Sequence, residues 1–124
     1  MIDFKATIFQ CMALDDNDRY RDTVSKILVN GECLMMTFAG FRDGIVFTDK
    51  RIIAINIQGV TGKKQDLTSI PYSQIRSFSV ETSGKLDLDS ELTLWVASVG
   101  RVRFQFTADT DIFMIGNFLS DFCL

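Results

Sequence analysis

Asp43-Gly-Ile-Val-Phe-Thr-Asp-Lys-Arg-Ile-Ile-Ala-Ile-Asn-Ile57 reads as two strands folded around a turn at Asp49 and Lys50. A side-chain period of two puts Ile45, Phe47, Ile52 and Ala54 on one face and Val46, Ile53, Ile55 and Ile57 on the other. A hairpin that is apolar on both faces needs two covers. One face lines a core; the other must meet a further element of this chain or another molecule.

Downstream of this hairpin the period stays at two. A loop at Gly59-Val-Thr-Gly-Lys-Lys64 leads to a short strand at 66–70, Pro71 marks an edge or bend, and 74–81 is the next strand. Leu86, Leu88, Leu92, Leu94 and Val96 then point one way, answered by Val102, Phe104 and Phe106 across a Ser98-Val-Gly100 turn. Pairing Val96 with Val102 predicts Trp95 opposite Arg103 on the outward face. Asp87, Asp89 and Glu91 form an acidic outward row, with Arg101 and Arg103 on the adjoining strand. The segment after Asp109 or Thr110, one of them the cap, reads as a helix with Ile112, Ile115, Phe118, Leu119 and Phe122 on one face and Phe113 off it.

Upstream, 33–39 is a strand. Before it, Phe4, Ile8 and Met12 recur every four residues, which predicts a short amphipathic helix within 1–14. Asp15-Asp-Asn-Asp18 breaks it. Tyr20, Val24, Ile27 and Leu28 then make a second helical stripe ending at Asn30-Gly31. Two helices, about seven strands without helical crossovers and a last apolar helix describe a mainly β fold with flanking helices: an antiparallel sheet curled into a barrel or sandwich, one open end plugged by the C-terminal helix.

Composition narrows the chemistry. With 124 residues and 47% hydrophobic content, one structural domain is expected. A net charge of −3 argues against nucleic acid as a partner. The chain has no histidine, which removes the commonest general base, the His-activated nucleophiles and nearly all ordinary zinc sites. Cys11, Cys33 and Cys123 are too far apart for a metal knot and read as reduced thiols, so no cofactor or metal is expected. The N-terminus, with one lysine and an apolar run cut by Gln10, lacks the pattern of a signal peptide, and no run approaches the length of a membrane span; a cytoplasmic location is expected.

Specific words in a specific order carry a resemblance: Gly31-Glu32, Phe41-Arg-Asp-Gly-Ile-Val-Phe-Thr-Asp-Lys-Arg-Ile52, Gln58-Gly-Val-Thr-Gly-Lys-Lys64, Ser69-Ile-Pro-Tyr72, Phe78-Ser-Val-Glu-Thr82, Leu86-Asp-Leu-Asp-Ser-Glu-Leu92 and Thr110-Asp-Ile-Phe113. Over roughly residues 18 to 124 the chain resembles the bacterial pleckstrin-homology (PH)-like domain family. The resemblance implies a PH-like bent seven-stranded antiparallel barrel capped by a C-terminal helix. Residues 31–124 would form that domain and 1–30 an N-terminal helical extension to it. It also implies small cytoplasmic proteins without an assigned catalytic role, some of which form ring-shaped homo-oligomers. More widely the superfold hosts lipid-headgroup, peptide and protein recognition.

Three surfaces compete for a function. Lipid recognition would use the loop Gly40-Phe-Arg-Asp-Gly44, where Arg42 stands beside Asp43, with the basic pairs Lys50-Arg51 and Lys63-Lys64. One cation next to one anion is a poor cradle for a polyphosphate headgroup. Catalysis would look to Asp87, Asp89 and Glu91, but alternate residues of a straight strand stand about 7 Å apart without a loop to wrap a cation. The 59–64 loop lacks the Walker spacing as well. Protein interaction draws on the two-faced hairpin, outward Trp95, Phe113 and the apolar N-terminal segment. The acidic row could face Arg101, Arg103 or Lys63 of a neighbour, head to tail. The expectation is therefore a non-catalytic interaction module that forms a homo-oligomer and binds a protein or peptide, with weak anionic-lipid binding through Arg42, Lys50, Lys63 and Lys64 as the alternative.

Overall fold

The computed structural model describes residues 1–86 and 89–124. Its elements are β1 (Phe9–Asp15), α1 (Arg21–Val24), β2 (Leu34–Ala39), β3 (Gly44–Thr48), β4 (Arg51–Gln58) and β5 (Lys64–Pro71). A single 3-10 turn at Tyr72–Gln74 follows, then β6 (Ile75–Glu81), β7 (Ser90–Val96), β8 (Gly100–Phe106) and α2 (Ile112–Cys123). The strands form one eight-stranded sheet in the order β5-β4-β3-β2-β1-β8-β7-β6.

The opening hairpin forms as its pattern dictates, with Phe47 opposite Ile52 and Asp49-Lys50 as the turn. Thr48 fastens that turn: its Oγ1 accepts from the backbone N–H groups of Lys50 and Arg51 at 3.0 Å each. Ile45, Phe47, Ile52 and Ala54 enter the main core, to which all eight strands and α2 contribute. Val46, Ile53 and Ile55 enter a second cluster, covered by Tyr20, Val24 and Leu28. The second face is thus covered from within the chain.

Several expectations are corrected. The first 14 residues are not a helix: after a turn at 4–6, Phe9–Asp15 is a strand. It joins the two halves of the sheet, pairing antiparallel with β2 and parallel with β8. The sheet therefore has eight strands rather than seven, is not wholly antiparallel, and crosses the boundary expected near residue 30. The misleading feature is an irregularity between Phe9 and Met12, where Cys11 adopts φ 54. It puts the two inward side chains, Phe9 and Met12, three residues apart instead of two and so hides the strand period, while Ile8, the middle of the expected helical stripe, is exposed.

The second helix is a single turn, Arg21–Val24, with Tyr20 and Val24 buried as its stripe implied. A further correction concerns the last hairpin. Val96 pairs with Gly100, Leu94 with Val102 and Trp95 with Arg101, not Arg103. Gly100, at φ 92, supplies the left-handed residue that starts β8 and shifts the register. Leu92, Leu94, Val96, Val102, Phe104 and Phe106 are all buried as expected, whereas Leu86 is fully exposed and lies outside any strand.

α2 plugs the barrel with Ile112, Ile115 and Leu119 buried. Phe118 meets Phe47 and Tyr72 edge-on, at centroid distances of 5.7 and 6.0 Å. Its N-cap is Asp111 rather than Asp109 or Thr110, with Oδ1 accepting from Met114 N at 3.1 Å. Residues 1–8 pack across another part of the barrel. Ile2 is buried in the core and donates its N–H to Thr68 Oγ1 at 3.0 Å, and Phe4 packs against Phe9 and Phe104.

Candidate functional site

A concavity of about 780 Å³ lies between the N-terminal segment and the outward face of the β7–β8 hairpin. Phe4 and Ile8 line one wall, Trp95 and Val99 another, and Lys5, Arg101 and Arg103 supply charge. Trp95 is 54% exposed and Ile8 is 67% exposed. The alternation of β7 explains this placement: Leu94 and Val96 point inward, so Trp95 must point out. Arg101, directly opposite, sits beside it on the same face.

Arg103 is held by its own chain. Its Nε and Nη2 donate to the two carboxylate oxygens of Glu91, the latter at 3.2 Å, and this pairing pushes the guanidinium pKa further up. The row expected to face a neighbour is therefore partly satisfied within one chain. Asp87 lies outside the described residues, and Asp89 is half-buried just before β7. Among the described residues Arg101 and Lys5 have no carboxylate in ion-pair range, so they are the groove's unneutralised charges.

The remaining candidates divide between other regions. Arg42 donates from Nη2 to Gly59 O at 2.6 Å, and Asp43 Oδ1 accepts from Asn56 Nδ2 and Ile57 N at 3.0 Å each. Together they tie the β2–β3 loop to the end of β4, so Arg42, Lys63 and Lys64 gather at one end of the barrel. Lys50 is at the other, about 26 Å away along β4 at 3.3 Å per residue. Arg51, next to Lys50 in sequence, turns inward: Nη2 lies 2.8 Å from Glu32 Oε1 and 2.7 Å from Ile27 O, and Nη1 donates to Ser69 Oγ at 3.1 Å. Its donors hold the fold together.

Several exposed side chains escaped the sequence reading. Ile8 was assigned with half-buried Phe4 to a helical stripe, and Lys5 was given no place in a site. Phe41 and Val60 are fully exposed at the tips of the two tied loops, and the available signal was an aromatic or branched residue in a Gly-bounded turn, where polar residues are usual. Among the described residues, no group of three or more His, Cys, Asp or Glu side chains could hold a metal ion, and no helix is long and apolar enough to cross a membrane.

An N-terminal strand, a curled sheet and a plugging C-terminal helix define a PH-like domain. The family model for the bacterial PH domain matches residues 4–123, and the chain belongs to that family. A relative in Bacillus subtilis (strain 168), the uncharacterised protein YjqA, is 45% identical over 106 residues, covering 84% of this chain and 85% of its own. Among solved structures, a DUF1696 family protein with a pleckstrin-homology domain from Shewanella loihica PV-4 superimposes with a TM-score of 0.81 at 35% identity, over 93% of this chain and 99% of that one. A pleckstrin homology domain from Shewanella amazonensis SB2B gives 0.69 at 38% identity, over 89% and 90%. The match from residue 4 agrees with the placement of β1 inside the sheet.

Proposed function

We propose that the chain is a non-catalytic interaction module that self-associates and receives a protein segment in the groove beside Trp95. The observation that carries this reading is the groove itself: a half-exposed tryptophan, exposed Ile8 and the cations Lys5 and Arg101, without a carboxylate partner among the described residues, around one concavity. Aromatic anchors flanked by Arg are what protein-binding surfaces concentrate. The absence of histidine from the chain supports a non-catalytic role. Affinity capture from the native cytoplasm with wild type and Trp95→Ala side by side tests it. Proteins retained by the wild type and lost with the variant support the reading; identical retention removes it. Light scattering on the purified chain tests self-association.

A second reading, weak binding of anionic lipid, has its own observation. Phe41 and Val60 project from tied loops beside Arg42, Lys63 and Lys64, which is how an apolar tip with a basic collar would meet a membrane surface. Lys50, at the opposite end, does not belong to that collar. Flotation with phosphatidylserine vesicles at low and high salt separates this reading from the first.

A further inference from the structure

The charged lining of the groove beside Trp95 has one sign. Lys5, Arg101 and Arg103 line it, and no Asp or Glu does among the described residues, in a chain whose net charge is −3. Glu91 pairs with Arg103, which leaves Lys5 from the N-terminal segment and Arg101 from β8 beside the apolar surface of Trp95 and Ile8. The groove also has a direction. A second concavity of about 230 Å³ is lined by Gly40, Phe41 and Arg42, and Ile8 and Gln10 line both. A continuous trough therefore runs from Trp95 on β7 across β8 and β1 to the β2–β3 loop, where Phe41 is fully exposed. Gly40 lets that loop come close, since a Cβ there would stand 3.0 Å from Gln10 O. At the loop end Arg42 and Asp43 balance in charge and are engaged in tying the loop to Gly59, Asn56 and Ile57. The unbalanced positive charge is thus at the Trp95 end.

We infer that this trough binds an acidic peptide segment in extended form, an inference that deepens the protein-segment reading above and rests on it. Three strand spacings of about 4.8 Å make about 14 Å, the length of four or five extended residues. One apolar side chain of the segment lies against Trp95 and Ile8, Asp or Glu side chains face Lys5 and Arg101, and a second apolar side chain meets Phe41. The division of labour follows from exposure: apolar contact in the concavity holds the segment, while charges open to water select it and speed its arrival. Because Trp95 stands in a concavity rather than on a protruding tip, a narrow segment reaches it and a flat membrane surface does not.

Selection of a random heptapeptide library on the full chain tests this. Wild type should retain peptides enriched in Asp or Glu beside Phe, Leu or Ile, and Trp95→Ala should retain none of them. Phe41→Ala should drop the second apolar position from the selected pattern. The double variant Lys5→Glu with Arg101→Glu should turn the preference toward Lys and Arg; if it does not fold, Lys5→Gln with Arg101→Gln should abolish the acidic preference. Trp95 is the chain's only tryptophan, so its emission reports docking directly. A synthetic copy of the strongest wild-type peptide should shift that emission to shorter wavelength, with affinity falling about tenfold or more in Arg101→Glu and weakening as salt is raised. The inference is overturned if wild type retains no peptides, if the retained ones lack acidic enrichment, or if their pattern ignores the charge variants or Phe41→Ala. A Trp95 emission that responds to phosphatidylserine vesicles and to no peptide overturns it as well. In each of those cases, capture from the native cytoplasm that still depends on Trp95 leaves the protein-segment reading standing, and its loss removes both.

Discussion

Arg51 Nη2 lies 2.8 Å from Glu32 Oε1, and the Glu32 side chain is wholly buried while that of Arg51 is 18% exposed. Glu32 Oε2 also accepts from Thr48 Oγ1 at 2.6 Å and from Arg51 Nε at 3.0 Å. The pair therefore joins the segment before β2 to the turn and start of the opening hairpin. Removing one partner strands a buried charge. Arg51→Ala should lower stability by about 3–5 kcal/mol, measured as a shift in the urea unfolding midpoint, and Arg51→Lys should recover only part of this because it cannot reach Ser69, Ile27 and Glu32 together.

That pair also sets an acid limit. Burial pushes the Glu32 carboxyl upward, but hydrogen bonds from Arg51, Thr48 and Val29 N reverse this, so its pKa ends below the ordinary 4.5. With the folded value below the unfolded one, the stabilisation is fully present above pH 4.5 and is lost as pH falls through the folded value. Urea midpoints measured from pH 7 to pH 3 should fall for wild type, and Glu32→Gln should show a lower midpoint at pH 7 with a flatter fall.

Gly44 faces the ring of Tyr20 so closely that a Cβ would stand 2.5 Å from its hydroxyl oxygen and 2.6 Å from Cε2. Gly44→Ala should cost about 1–3 kcal/mol by driving Tyr20 off the second face of the hairpin, and the loss should shrink in a Tyr20→Ala background. Among the described residues the Tyr20 hydroxyl is itself buried without a partner in hydrogen-bonding geometry, with the Arg19 guanidinium over its ring. Tyr20→Phe should therefore be neutral or stabilising by up to about 1 kcal/mol in thermal unfolding.

Cys11 is the one non-glycine residue with positive φ among the described residues. An L side chain there opposes the left-handed backbone, so Cys11→Gly should raise stability by about 1 kcal/mol. A lower melting temperature in this variant would mean that the side chain contributes more than the conformation costs.

Trp95 divides stability from binding. Half-exposed and outside the core, Trp95→Ala should change stability by less than about 1 kcal/mol while abolishing partner capture. Chemical denaturation and capture on the same preparation check both halves.

How much could be read ahead depends on how local each signal is. Phe47, Ile52 and the Asp49-Lys50 turn were legible because strand alternation and turn chemistry are local. So were the inward Leu92, Leu94, Val102 and Phe104 and the buried face of α2. The register of the last hairpin slipped because Gly100, a single left-handed residue, moved every pair along β8. The groove was half legible: outward Trp95 and Arg101 followed from alternation, whereas Phe4, Lys5 and Ile8 reached the site only through the path of the N-terminal segment.

By itself, the sequence determined the mainly β class, the two-faced hairpin and the apolar plug of α2, since each rests on a period repeated within a dozen residues. Only the tertiary structure decided what covers Val46, Ile53 and Ile55, where Arg51 points, and that Phe9–Asp15 pairs parallel with β8 beside an irregular step at Cys11. Those outcomes join residues far apart along the chain. Nonlocal pairing leaves no periodic trace in the strands it brings together, and a bulge changes the period of the strand that carries it.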